Sequence, residues 1–367
     1  MKLLKELPKK FPLNKDIQVL SVFHLLNTSK AFFELLDTTT KLKSVIAIPY
    51  SAEKEIIDDY IKSFKNTNFI VPEKVSDIQN VLIEEYKKLD NTKPIVIIEV
   101  GGYSAFIIDK LLEINPNLIG IVEDTNQGHW CYQEIEDKLK FPVYSIAQSR
   151  IKSLENRLIG KAITFSLENV LRKDFYKTLC GLKIGVLGYG KIGKSSVRNL
   201  KNRDAIINVW DIDSVKRLQA RLDGYHCPIE KQDVLKNADI ILGVSGKHSL
   251  RIDDIQYLKE KVILVSGSSK DVEFQYENLC KYADSVSIYE SYSVLKFAAK
   301  HIIVLNEGQP INFRNNSVLS SILELVFSEL YVCLYYTITN PNKIGLHKID
   351  EKEHQALCEE WEKVYLN

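Results

Sequence analysis

Glycines at 188, 190 and 193 stand between an apolar run and an amphipathic one in residues 183–200 (KIGVLGYGKIGKSSVRNL). That spacing suits a turn that cradles phosphate. Gly188 permits the tight bend, Gly190 lets backbone approach a pyrophosphate, and Gly193 lets the following helix pack close to the strand. The N–H groups that open the helix, with Lys191 and Ile192 in its first turn, then face the anion. A second β-rich run, 206–210, ends at Asp211, about 18 residues past Gly193, where a carboxylate bonds a ribose 2′-hydroxyl. A 2′-phosphate would meet its negative charge, so the pattern favours NAD over NADP. Lys216 and Arg217 follow closely and keep the second cofactor open. The alternative is a flavodoxin-like turn with no ligand.

Such a loop needs strands and helices to hold it. Before it, β-rich runs at 17–23, 44–49, 68–71, 94–100, 118–123 and 142–146 alternate with stretches of helical periodicity such as 52–64 and 75–88. After it the alternation resumes at 206–210, 240–244, 262–265, 286–289 and 302–305. This is an α/β pattern with mostly parallel sheets. A length of 367 residues exceeds one ordinary core. The expected organisation is two doubly wound domains: an α/β substrate domain over 1–160, completed by a helix returning over 317–340, and a Rossmann NAD-binding domain over 161–316. A cleft and hinge would lie between them, and residues 341–367 read as a C-terminal arm.

Composition removes several classes. A formal net charge of +1 gives no electrostatic reason for a nucleic-acid or membrane partner. Six cysteines at 131, 180, 227, 280, 333 and 358 show no metal-ligand or disulfide spacing. Reduced thiols and a lysine-rich start without a signal-like apolar core fit a cytoplasmic protein with no metal site. The apolar stretch 317–338 carries Glu324 and Glu329 at helical spacing with leucines, which reads as a buried helix and not a membrane span.

Several segments together resemble S-adenosylhomocysteine hydrolase, the NAD-dependent family that splits adenosylhomocysteine into adenosine and homocysteine. They are residues 120–128 (GIVEDTNQG), 149–156 (SRIKSLEN), the glycine loop, 211–213, 271–273 and 307–312. The resemblance implies that Lys152 and Glu155 work on a ribose 3′-hydroxyl, with Glu155 standing where the family has aspartate. It implies substrate contacts for Asp124 and His24, and cofactor contacts for Thr125, Asn126, Gln127, Asn156 and Asn312. His24 reads equally well as a satisfied core histidine. One residue is missing between Lys152 and Glu155 relative to the family; i and i+3 still share a helix face. A gapless register would put Gln148 at the lysine position and Lys152 at the acid. A solvated Lys/Glu pair on a helix surface is the plainer reading.

The departures point to altered chemistry. The acid that the family uses in elimination falls on Val100, within residues 99–102 (EVGG). A family histidine falls on Ser269, a histidine-proline pair is replaced within 316–318 (NSV), and the family's basic tail has no counterpart. The expectation is therefore a divergent NAD-dependent enzyme that oxidises a hydroxyl of a nucleoside or related small molecule and works as a homo-oligomer, either a dimer or a tetramer. True adenosylhomocysteine hydrolysis and a catalytically inactive NAD-binding regulator are the alternatives.

Overall fold

Runs rich in valine and isoleucine become strands in both halves of the chain. In the computed structural model, which describes residues 1–298 and 300–366, the strands are β1 (Gln18–Phe23), β2 (Lys41–Ala47), β3 (Asn68–Ile70), β4 (Ile95–Glu99), β5 (Leu118–Glu123), β6 (Pro142–Ser145), β7 (Lys183–Leu187), β8 (Ile206–Trp210), β9 (Ile240–Gly243), β10 (Ile263–Ser266), β11 (Ser285–Ile288), β12 (Tyr292–Phe297), β13 (Lys300–Leu305) and β14 (Gly345–His347). The α-helices are α1 (Leu7–Lys10), α2 (Lys30–Thr39), α3 (Lys54–Ser63), α4 (Ile78–Tyr86), α5 (Ile108–Ile114), α6 (Asn126–Glu134), α7 (Arg150–Phe175), α8 (Lys191–Lys201), α9 (Ser214–Leu222), α10 (Lys231–Asn237), α11 (Tyr276–Tyr282), α12 (Ile322–Thr339) and α13 (Glu351–Tyr365). The chain divides into two units, Met1–Glu155 with Leu319–Asn367, and Asn156–Val318.

The first unit is an all-parallel sheet ordered β14-β6-β5-β4-β1-β2-β3. Its central strands are buried on both faces: β1 and β4 show no exposed position, as expected when helices cover both sides. The chain reverses direction across the sheet between β1 and β4, and a doubly wound sheet opens its crevice at the carboxyl ends of strands flanking such a switch. Helix α12 fills one face. Thirteen of its residues are buried, among them Leu330, Tyr331 and Leu334. Although long and apolar enough by composition to cross a membrane, it is a core helix of this unit.

Close packing of α12 depends on Gly120, where an added Cβ would lie 2.2 Å from Thr337 Cγ2 and 2.9 Å from the Pro142 carbonyl oxygen. Gly120→Val is expected to cost about 1–3 kcal/mol through overpacking, read as a lower urea midpoint at unchanged slope.

The second unit orders its sheet β11-β12-β13-β10-β9-β7-β8. Five neighbouring strands, from β8 to β13, are parallel, while β12 and β11 close the far edge as antiparallel neighbours. Two apolar clusters cover its faces. One gathers Ile163, Leu167 and Leu171 of α7 with Val186 and Val197, and the other gathers Val234, Leu235, Ile241 and Phe274. The switch point lies between β7 and β9, where the glycine loop emerges.

Three elements differ from expectation. Strand β12 was not anticipated, because a hairpin of adjacent strands replaces the alternation with helices seen elsewhere. Residues 341–366, read above as an arm, instead add β14 to the first sheet beside β6 and pack α13 on α12; Asn367 lies outside the described residues. Helix α7 begins at Arg150 and contains the division between units, residues 150–155 belonging to the first and the remainder to the second, where the expected boundary followed residue 160.

Candidate functional site

In the second unit each glycine of the loop has a distinct geometric reason. Gly188 holds φ at +111°, and a Cβ there would lie 2.7 Å from the backbone of Val244 and Ser245. At Gly193 a Cβ would stand 2.2 Å from the Gly188 carbonyl oxygen. Gly190 is different: among the described residues a Cβ would meet nothing within 4 Å. The first and third positions are therefore fixed by packing within the protein, whereas the second opens onto free space at the start of α8. Gly190 is the residue preceding that helix, and Lys191 and Ile192 form its first turn. Burial lowers the Lys191 ammonium from its ordinary value.

Asp211 closes β8 and is nearly buried. Its Oδ2 accepts the Tyr189 N–H at 2.7 Å and its Oδ1 accepts the Asp213 N–H at 2.9 Å. A carboxylate oxygen accepts two hydrogen bonds, so each retains a lone pair for a ribose hydroxyl. Of the two basic residues that left the NADP reading open, Arg217 donates to the carbonyl oxygens of Asp211 and Ile212, and Lys216 Nζ lies 3.9 Å from Asp211 Oδ2. Across the switch point, buried Glu273 joins the loops after β9 and β10, accepting from Gly246 N, Ser245 Oγ and Ser268 Oγ. Burial raises its carboxyl despite these donors. Asn312 is buried and donates to Ser317 Oγ. Asn156 is buried, and among the described residues its Nδ2 has no hydrogen-bond partner, a donor whose desolvation a ligand acceptor would offset.

The open space at Gly190, the lone pairs on Asp211 and the orphan donor of Asn156 fit a dinucleotide. They define the second unit as an NAD-binding Rossmann domain.

In the first unit the chemistry gathers at the carboxyl ends of β1, β4 and β5 and the start of α7. Lys152 Nζ lies 2.8 Å from Asp124 Oδ1 and 2.9 Å from Oδ2, and also pairs with Glu155. All three residues are under 10% exposed. The helical period puts Lys152 and Glu155 on one face, and Asp124 follows β5. Gln148, the lysine position in a gapless register, is exposed. The cluster is thus a buried ion triad and not a solvated pair. Burial alone would lower the Lys152 ammonium, but the charges of Asp124 and Glu155 outweigh it and hold it above its ordinary value. Burial raises the Glu155 carboxyl, against the opposing pull of Lys152.

His24 directly follows β1 and is half-buried, with Nδ1 2.7 Å from Ser51 Oγ. Burial, aided by the Lys152 charge, lowers its imidazole to about 3, so it is neutral in ordinary buffers. Thr125 differs from what the resemblance implies. Its hydroxyl donates to Glu123 Oε1 and accepts the N–H groups of Gly101 and Gly128, which uses one donor and two acceptor positions. Thr125 is therefore a helix cap for α6 with nothing left for a cofactor. Asn126 and Gln127 form the first turn of that helix.

Two buried acids were not singled out from sequence. Glu99 and Glu123 end adjacent parallel strands in register. Glu123 accepts from Gly101 N, Gly102 N and Thr125 N, while Glu99 accepts from Ser104 N, Ser104 Oγ and the Tyr132 hydroxyl. Together they fix the loop that carries Val100. Burial, then the neighbouring Glu99 charge, raises Glu123 to about 8. Such a carboxyl binds its proton more tightly folded than unfolded, so its contribution is full below about pH 4.5 and is lost as pH climbs to 8. His24 acts oppositely, adding stability as pH rises from 3 to 6.5. Between pH 6.5 and 8 only the Glu123 slope remains of these two. The urea midpoint is expected to fall across that window, and Glu123→Gln is expected to flatten it.

Residues 162–318 match the family model described as S-adenosyl-L-homocysteine hydrolase, NAD binding domain. The chain is 23% identical to the adenosylhomocysteinase of Thermotoga maritima over 362 residues, which span 94% of this chain and 86% of that relative. Among solved structures it is similar to a putative D-3-phosphoglycerate dehydrogenase oxidoreductase from Ralstonia solanacearum, with TM-score 0.52 and 11% identity over 89% of this chain and 96% of the other. That likeness concerns the fold alone. The chain is thus similar to adenosylhomocysteinases, with its second unit matching their NAD-binding domain, and its cofactor is NAD.

Proposed function

We propose that the protein oxidises a hydroxyl of a nucleoside or closely related polar metabolite, using NAD. When bound, NAD supplies the acceptor for the hydride leaving the carbon that bears the hydroxyl. The chain's own residues handle the proton. Lys152, kept charged by two carboxylates, is suited to donate a hydrogen bond to the substrate oxygen and not to act as base. Glu155, whose carboxyl burial raises above its ordinary value, is suited to take the hydroxyl proton. Asp124 holds the lysine and offers its outer lone pairs to a neighbouring hydroxyl, while neutral His24 adds a hydrogen-bonding edge. With Val100 in place of an acid, nothing at that position can move a proton to a leaving thiol.

The observation that carries this reading is the buried Lys152–Asp124–Glu155 triad at the carboxyl ends of the strands. The test is to add adenosine and related nucleosides to the purified protein with NAD and follow NADH absorbance. Reduction that disappears in Glu155→Gln supports the proposal. Homocysteine release from adenosylhomocysteine would favour hydrolysis instead, and bound NAD that no nucleoside reduces would favour a regulator.

A further inference from the structure

Helix α12 carries two acids in an otherwise apolar sequence, and both are receiving ends of long-range contacts. Glu324 accepts the Leu4 N–H and the Tyr365 hydroxyl, tying both chain ends to the helix. Glu329 does something else. Its Oε2 accepts from Ser149 Oγ at 2.8 Å, and its Oε1 lies 2.8 Å from His354 Nε2 of α13. Ser149 Oγ in turn accepts the backbone N–H of Lys152 at 2.9 Å. Glu329 is 1% exposed, Ser149 3% and His354 4%. A second tie, Arg150 to Glu351 at 3.1 Å, joins the same two helix ends at the surface.

We propose that His354 and Glu329 are positioning residues for Lys152. The chain of contacts from α13 through Glu329 to Ser149 fixes the first turn of α7, and so sets where the Lys152 ammonium stands against Asp124 and Glu155. A helix N-terminus frays unless its first N–H groups are held. Here the capping hydroxyl is itself oriented by a buried carboxylate, which the imidazole orients from the other side, as outer partners fix inner ones in metal and catalytic sites. Removing His354 leaves Glu329 with one donor fewer in a dry site. The carboxylate then turns, Ser149 loses its direction, and the lysine loosens. The inference rests on the functional reading only in taking Lys152 as the working lysine.

The test reads Lys152 without turnover. The full-length protein is exposed to trace acetic anhydride, and acetylation of Lys152 is measured by mass spectrometry against exposed Lys65. A paired, buried ammonium reacts slowly because little free amine is present and access is poor. In His354→Leu, relative labelling of Lys152 is expected to rise about ten-fold, the equivalent of one pKa unit. His354→Gln, whose amide can replace the Nε2–H donor, is expected to restore the unaltered rate. Ser149→Ala breaks the chain at its last link and is expected to raise labelling as the leucine variant does, so it decides the matter should that variant fail to fold. Unchanged labelling in Ser149→Ala or in folded His354→Leu overturns the inference, as does a glutamine variant no better than leucine. Absence of nucleoside-driven NAD reduction in the unaltered protein would defeat the functional reading instead, and would leave the labelling result standing.

Discussion

Gly190→Val is expected to weaken NAD binding about hundred-fold, equivalent to about 2.7 kcal/mol, while leaving the thermal midpoint almost unmoved. The backbone at Gly190 has φ −75° and ψ −165°, which valine adopts without strain, and its added carbons would enter open space. That space is where the pyrophosphate must come close to the chain. Gly193→Val is expected to behave in the opposite order. Its Cβ would overlap the Gly188 carbonyl oxygen, a backbone atom that cannot move without distorting the turn, so the protein should lose about 2–4 kcal/mol of stability before any ligand is added. Calorimetric titration with NAD and thermal denaturation of both variants separate the two roles. Undiminished affinity in Gly190→Val would mean that the turn is not a phosphate cradle.

Much of this architecture is visible in local patterns. The central parallel strands are buried on both faces, so they appear as apolar runs, and 118–123 coincides with β5; the edge strand β8, partly exposed, is still marked by the β-branched and aromatic residues of 206–210. Strands β12 and β14 escape for physical reasons. The first, with Ser293 and Lys296 interrupting its apolar residues, lies inside a hairpin, and the second is a three-residue segment opened by Gly345 that pairs with β6. The lysine cluster divides in the same way. That Lys152 and Glu155 meet follows from the helical period, a local property. That Asp124 joins them depends on how β5 is placed relative to α7, and only a family resemblance points to it. Glu329 and His354 lie far along the chain from Ser149, with no short-range signal beyond two acids in an apolar helix. Thr125 shows the converse. A residue that matches a family cofactor position is wholly engaged by Glu123, Gly101 and Gly128, and no inspection of residue types reveals that its hydroxyl is already used.

Glu155→Gln is expected to reduce nucleoside-driven NAD reduction by about 10²–10⁴-fold, the usual contribution of a positioned base, or about 3–5 kcal/mol of barrier. The amide keeps the shape and cannot accept the proton. Because burial raises the Glu155 carboxyl, the unaltered protein should gain rate as pH rises and that group ionises. The glutamine variant should lose this acid limb. Glu155→Asp shortens the side chain by one methylene but restores the residue type that the family uses, and it should keep the limb at a reduced rate. Lys152→Met should differ in kind. It leaves Asp124 and Glu155 as buried carboxylates without their counter-charge, a change that costs about 3–5 kcal/mol when one partner of a buried pair is removed. Its stability should therefore fall along with its rate, whereas Glu155→Gln removes charge from a cluster that holds two acids for one base and should lose mainly rate. Rate–pH profiles and urea midpoints of the three variants distinguish a proton acceptor from a structural ion: an acid limb that survives in Glu155→Gln would assign the proton to another group.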